Sequence, residues 1–505
     1  MWLFNLFGAG TELLKRIVER GAKTTITDKQ FLEAEIKKFK RSEKRKWMIK
    51  GDLYYGGDHD ILKRKRTMIG EDGLLKEVEN LPNNRIIDNQ YSKLVDQKVN
   101  YLLTKPPSFN TENKQYGDAL KMVFNKRFLR SLKNLGEDSL NGGIAWLHPY
   151  YNAAGELAFK KFAPYEILPF WQDDEHTVLD AAVRLYEVEA YEGQLEKIIE
   201  KVEVYTPKGI DYYILRDNVL IPDVEREPSP HIIVTDDKGT TGWNWQKIPL
   251  IPFKYNNKEL PLIKRVKSLQ DAINTMLSDF ENNMQEDARN TILVIKNYDG
   301  TNLGEFRKNL ATFGAVKVRT AEGGEGGIDT LTIEVNADNY KVILEVLKKA
   351  IIENGRGYDA KDDRMSGNPN QMNIQSMYSD IDLDANGMET EYQAAFEDLL
   401  WFVKMHLSNS GEGNFEHEVL EIIFDRDILI NESETITNCK ASVGIISDET
   451  IVAQHPWISD PEDELAKIKK QKEADLEEMQ QMFPPKPTDP NADSNKKIDG
   501  RYNNV

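Results

Sequence analysis

The chain has 505 residues, 40% hydrophobic and 30% charged, with a formal net charge of −18. That length is too great for one compact core and predicts two or more domains. The negative balance weighs against a nucleic-acid binder that works by tight phosphate contacts, and a single cysteine, Cys439, excludes a disulfide framework or a cysteine-based zinc site within the chain.

Cys439 reads as a small buried apolar residue. The opening "MWLFNLFGAG" lacks the basic leader and cleavage site of a signal peptide, and no run approaches the roughly 18 apolar residues of a membrane span. Residues 28 to about 48 are basic and polar with helical spacing, and "YYGGDHDIL", Tyr54 to Leu62, breaks that pattern. Ile87, Tyr91, Leu94, Val95, Val99 and Leu102 then share one helical face. Asn83 or Asn84 is the expected cap of that helix, and Pro106 and Pro107 stop it. From Gly142 to about Phe253 the period drops to two, in runs such as "ELAFKKFAP", "KVEVYTP", "DYYILRD" and "PHIIVTDD", which predicts an antiparallel β-rich domain.

Leu262, Val266, Leu269, Ile273, Met276 and Phe280 step by 4, 3, 4, 3, 4, a heptad seam on a helix expected over Leu260–Asn290. Such a helix is roughly 45 Å long and suits packing against other helices, from this or another subunit. A small α/β insert follows, with strands at "TILVIKN", "GAVKVRT" and "GIDTLTIEV" and a helix at "NLGEFRKNLATF". Its glycine cluster, Gly323 to Gly327, lacks the Lys and Ser/Thr of a phosphate loop. A second helix is expected over Asp338–Asn354, then a loop of about twenty residues rich in Gly and Asn. A long helix runs over 374–407, where Ile381, Met388, Ala395 and Phe402 lie beside Ala385, Tyr392 and Leu399. The rest holds a strand within "HEVLEIIFDRDI", a short helix capped by Ser447 or Asp448, and a helix starting at Asp460–Pro461. The final segment, 485–505, is too polar to fold.

The motif most suggestive of chemistry is "DIDLDANGMETE". Asp380, Asp382, Asp384 and Glu391 fall close to a calcium-loop spacing, but the glycine required at the sixth position is Ala385. The apolar stripe also runs through the stretch without interruption, so a helix interior is the expectation. Gly387 then sits mid-helix, which a kink or a close neighbour would explain. Asp380, Asp384, Glu391 and Asp398 form an acidic row beside the apolar one. The seven histidines show no metal-ligand spacing, and "HEVLE" at His417 lacks the second histidine of a zinc protease. No cofactor or metal is expected. Two rival readings remain: a metal-dependent nuclease using Asp380, Asp382 and Asp384, and a calcium-regulated adaptor.

The segments "YYGGDHDIL", "NNRIIDNQYSKLVDQKVNYLLTKP", "FAPYEILPFWQDD", "VKSLQDAINTMLSDFENNMQEDARNTILVI", "LDANGMETEYQAAF" and "ISDETIVAQHPWISDPEDELAKI" together resemble, in order and spacing, the portal proteins of long-tailed double-stranded-DNA phages of Gram-positive hosts. The resemblance covers about residues 40 to 475. It implies an α+β portal fold that forms a ring, twelve-fold in the virion, and no enzyme. It also implies a wing at 1–255, stem helices at 256–290 and 338–354, a clip at 291–337, a tunnel loop at 355–373, a tunnel helix at 374–407 and a crown with a strand returning to the wing at 408–484. Lys361, Arg364, Asn368 and Asn370 would face DNA from the loop. The implied partners are other copies of the chain, double-stranded DNA, the terminase large subunit, a head-completion or adaptor protein, scaffold and major capsid protein, with no membrane. The implied place is the capsid portal vertex of the virion, and the host cytoplasm during assembly. Asp384 departs from the family, which often carries a basic residue before "AN" of "LDANG".

Overall fold

The computed structural model describes residues 11–12, 14–16, 27–69, 73–78, 81–192, 195–236, 239–287, 292–296, 302, 304, 327–331, 337–359, 371–426, 432–458 and 461–482. Two compact units emerge: residues 1–360 with 377–428, and residues 361–376 with 429–505.

In the first unit the basic stretch forms two helices, α1 (Asp28–Arg41) and α2 (Glu43–Tyr55). Thr27 and Gln30 close a capping box on α1, and Ser42, in extended conformation, caps α2 and divides the two. A small hairpin, β1 (Thr67–Ile69) with β2 (Leu75–Glu77), precedes α3 (Gln90–Leu103), and β3 (Ser108–Asn110), α4 (Lys114–Val123) and α5 (Lys126–Gly142) follow. Asn89, Asn113 and Asn125 cap α3, α4 and α5. Gly143 ends α5 at φ +81, where a Cβ would lie 2.3 Å from the Glu259 carbonyl oxygen.

The expected β-rich region contains β4 (Ile144–Tyr151), β5 (Leu157–Phe162), β6 (Ile167–Trp171), β7 (Leu179–Glu192), β8 (Leu195–Thr206), β9 (Gly209–Arg216), β10 (Val219–Pro222), β11 (Ile232–Asp236), β12 (Gly239–Trp243) and β13 (Ile251–Lys254). Strands β6 to β10 form a five-stranded antiparallel meander, and β13, β4 and β5 a three-stranded sheet. Alternation places Ala181, Val183 and Leu185 of β7 in one core, against Phe31, Leu32 and Ile36 of α1, and Ala182 in another with Trp146 and Tyr205.

The long seam helix is α6 (Ile263–Asp287), which starts three residues later than expected, while residues 288–290 of the expected span lie outside the described residues. Leu262, Val266 and Ile273 of the seam are fully buried in the main core, Leu269 packs against it, Met276 is half-buried, and Phe280 meets Tyr340 at 5.1 Å. A second, polar row on α6 is just as buried: Gln270, Asn274, Ser278 and Asn282. Its side chains hold the segment 84–91, which runs extended to Asp88 and then enters α3. Asn282 accepts from the Asn84 N–H at 2.7 Å, Ser278 from Ile86 at 2.9 Å, Asn274 from Asp88 at 3.1 Å and Gln270 from Tyr91 at 3.0 Å. Over Asn84, Ile86 and Asp88 the match is geometric, four helical residues advancing about 6 Å and two extended residues about 6.6 Å; the last step, to Tyr91, spans three residues as the chain enters α3. Hence α3 starts at Gln90 with Asn89 as its cap, not at Asn83 or Asn84, and the Asn84 N–H is committed to the row.

Beyond α6, β14 (Ile292–Lys296) pairs antiparallel with β15 (Gly327–Leu331); the expected strand at 314–320 and most of the helix at 302–313 lie outside the described residues. α7 (Ala337–Asn354) packs Leu344, Leu347 and Ile351 inward and leaves Val342, Ile343 and Val346 exposed at 58, 47 and 61%. α8 (Gln371–Asn409) exceeds its expected span at both ends. Ile381, Ala385, Met388, Tyr392, Ala395, Phe396, Leu399 and Phe402 of α8 are buried, and Tyr392 and Phe396 pack edge-on against Phe253. β16 (Glu421–Ile423) runs antiparallel to β3, a short piece of the strand expected there.

In the second unit α9 (Glu432–Ala441), α10 (Asp448–Ala453) and α11 (Pro461–Met482) accompany the first turns of α8. Ser447 caps α10 as expected, and the Gln371 N–H donates to Glu434 at 2.9 Å. The expected cap at Asp460 and the segment 485–505 fall outside the described residues. Among those residues no helix is long and apolar enough to cross a membrane.

Candidate functional site

Residues 380–391 are helical throughout, so their carboxylates are not arrayed as the ligands of a calcium loop. Residues two apart on a helix project to nearly opposite sides, so Asp382 faces away from Asp380 and Asp384, and those two, one turn apart on the same face, still differ in burial. Asp380 is exposed. Asp382 accepts from Tyr101 at 3.0 Å and from Arg426 at 3.3 Å, and Arg426 also pairs with Glu389. The nuclease reading needs three convergent carboxylates, and this arrangement does not supply them.

Asp384 is the point where the structure departs most from expectation. Expected in an outward acidic row, it is instead buried, with its side chain 6% exposed. Lys98 of α3 donates to Oδ2 at 2.7 Å, and the Tyr255 hydroxyl, just past β13, donates to the same oxygen. Arg265 of α6 reaches Oδ1 at 3.1 Å and Arg356, two residues after α7, at 3.3 Å. Burial alone would raise the carboxyl pKa, but Lys98, Tyr255 and Arg265 together hold it below its usual range. Burial pushes the Lys98 ammonium down to about 8 despite the Asp384 charge beside it. Three cations thus meet one carboxylate, and the basic side chains absent from position 384 arrive from three other elements.

The same cluster fixes the turn at 355–359. Lys98 Nζ donates to the Arg356 carbonyl at 3.0 Å and Gln97 to the Tyr358 carbonyl at 3.0 Å, while Tyr358 packs on Tyr378 at 4.6 Å. Gly355 and Gly357 press on Leu94, so closely that a Cβ on either would fall within 2.6 Å of its methyl carbons. Lys361, Arg364, Asn368 and Asn370, expected to face DNA, lie outside the described residues.

The remaining acids of the row do not form an open strip. Glu391 and Asp398 line a cleft of about 890 Å³ together with Lys44, His176, Lys254 and Glu259. Burial raises the Glu391 carboxyl pKa, and Lys247 pairs with Asp398 at 3.3 Å. Gly387 is exposed, a Cβ added to it would meet nothing within 4 Å, and α8 runs through it unbroken. Among the described residues no contact accounts for that glycine.

Sequence reasoning missed Lys98, Tyr255, Arg265 and Arg356 as one constellation. The only signal was the acid itself at 384, where the resembling family often carries a base.

A sequence profile described as "Phage portal protein, SPP1 Gp6-like" matches residues 35–478. The portal protein of Bacillus phage SPP1 is 30% identical over 430 residues, covering 84% of this chain and 83% of that protein. The portal protein of Clostridium phage phiCD119 is 28% identical over 434 residues, covering 83% and 91%. Profile and relatives agree with the mixed helix and sheet architecture, and the chain belongs to the SPP1 Gp6-like family of phage portal proteins.

Proposed function

We propose that twelve copies of this chain form a ring at the capsid vertex, and that the ring is the channel through which double-stranded DNA is packaged and ejected. The observation that carries this reading is the family match over residues 35–478. In this reading residues 1–255 are the wing, 256–290 and 338–354 the stem, and 291–337 the clip, where the terminase large subunit and later a head-completion protein dock. Residues 355–373 are the tunnel loop and 374–407 the tunnel helix, with 408–484 as the crown. Scaffold and major capsid protein are further partners, met in the host cytoplasm during assembly.

The exposed row Val342, Ile343 and Val346 supports assembly, because α6 covers only the opposite side of α7 and a contiguous apolar stripe in water favours a partner. Lys361, Arg364, Asn368 and Asn370 are proposed to face the DNA, and the exposed Asp380 to repel it. Asp384 does not, being enclosed by cations. The work of DNA movement falls to a separate ATPase. The test is negative-stain electron microscopy of the purified protein at high concentration: rings are expected, and a monodisperse monomer with or without scaffold overturns the reading. Ile343→Asp with Val346→Asp should give folded protein with few rings.

A further inference from the structure

Resting on the channel reading, we propose that Arg265, on the stem helix, and Arg356, at the root of the loop, form a second DNA-contact site, distinct from Lys361, Arg364, Asn368 and Asn370 and specific for backbone phosphates. The geometry has two layers. Below lies Asp384, whose side chain is 6% exposed, with Lys98 at 4%. Above lie the two guanidiniums, Arg265 at 36% and Arg356 at 51%. Each arginine spends one terminal nitrogen on the same Asp384 oxygen. A guanidinium has five N–H donors in a planar fork, and no other carboxylate lies within bonding distance of either among the described residues. The remaining donors are thus oriented but not consumed.

The chain holds Arg356 in place at some cost. Its φ is +51, a conformation unfavourable for a residue with a side chain, and the glycines on both sides allow the turn to press against Leu94. Arg265 is fixed by Tyr255, whose hydroxyl lies 3.2 Å from its NH1 and whose ring it covers at 5.5 Å. Two fixed guanidiniums over a buried acid suit an oxygen anion with several acceptors, which a phosphodiester supplies and an apolar partner does not. Asp384 also moderates the site. One negative charge under three positive ones leaves a net of about two, enough to attract phosphate while limiting the grip that would arrest a moving duplex.

The test uses assembled rings and a fluorescein-labelled 30-base-pair duplex, read by anisotropy at several salt concentrations. For Arg265→Gln with Arg356→Gln the expected result is rings of normal appearance, duplex binding weaker by about tenfold at 50 mM salt, and a log–log salt slope shallower by about two. Lys361→Ala with Arg364→Ala, changed in a separate variant, should weaken binding independently. Wild-type affinity and slope in the arginine variant would overturn the proposal, with the channel reading intact. So would loss of rings in that variant, since the two side chains would then serve a neighbouring copy's acids. Failure of the wild-type protein to form rings would instead remove the reading on which the proposal rests.

Discussion

Two helices bury polar side chains within the first unit, and they do so in opposite ways. Along α6, four neutral side chains at intervals of four each take one or two hydrogen bonds from the segment 84–91. On α8 a single carboxylate gathers two arginines, a lysine and a tyrosine. The neutral row distributes its contribution and sets register: a slip of one residue would move every backbone N–H off its acceptor. The charged cluster concentrates its contribution in one side chain and joins four other parts of the chain through it. Buried amides cost little to desolvate when paired, whereas a buried charge is costly as soon as one partner is lost.

The comparison breaks most visibly at Asp384. Asp384→Ala leaves Lys98 buried without its counter-charge, and the expected loss is about 3–5 kcal/mol of unfolding free energy in urea. Replacing both partners, Lys98→Met with Asp384→Leu, should recover most of that loss. A double variant as unstable as the single one would show that the cluster stabilises by more than avoiding an orphaned charge. Next in size is Asn274→Leu on the neutral row. It strands the Asp88 N–H, one Gln270 N–H and the His59 Nδ1 together, for roughly 2–3 kcal/mol. Ser278→Ala removes one rung only and should cost about 1 kcal/mol; equal effects at the two positions would argue against a row of separable rungs.

Acid should separate the two regions further. His59 lies against Asn274 and the Tyr54 carbonyl, and burial lowers its pKa below the ordinary 6.5. The unfolded chain therefore takes up this proton first, and stability falls as pH drops below about 6.5. Asp384 is held below its ordinary 3.8, so its contribution is present above that pH and is lost only as pH falls through the lower folded value. His148 and His231, both pushed down to about 4 by burial, add to the mild-acid loss from the sheet region. His59→Gln should flatten part of the decline in melting temperature between about pH 6.5 and 4, while Asp384→Asn should leave that interval unchanged and flatten the region below. The same midpoint behaviour in both variants would sink the distinction.

How far each region could be read from the chain follows from the same contrast. α8 was legible because Ile381, Met388, Ala395 and Phe402 repeat over many turns, and local periodicity needs no knowledge of partners. The heptad seam of α6 was legible for that reason too. Its buried polar row was not, since Gln270, Asn274, Ser278 and Asn282 look like a solvent face until the segment 84–91 is laid on them. The shift of the α3 start from Asn83 or Asn84 to Asn89 has that single cause. Asp384 stands out in the sequence but reads wrongly there, because its partners at 98, 255, 265 and 356 are brought to it only by tertiary structure. A lone acid on a helix reads as solvated, and only its neighbours decide otherwise.

The smallest expected effect lies three residues along α8 from that cluster, and it tells stability apart from assembly. Gly387 is exposed and a methyl group there meets nothing within 4 Å among the described residues. In an unbroken helix, Gly387→Ala should then stabilise the chain by up to about 1 kcal/mol, through higher helix propensity and a less flexible unfolded state. If the glycine serves only the single chain, rings of the variant should form as before with a slightly raised melting temperature. If instead a neighbouring copy approaches the helix backbone at this point, the added methyl group should leave the monomer more stable and the ring harder to form. Raised stability with impaired assembly would thus assign Gly387 to a contact between copies, and lowered stability would contradict the open space around it.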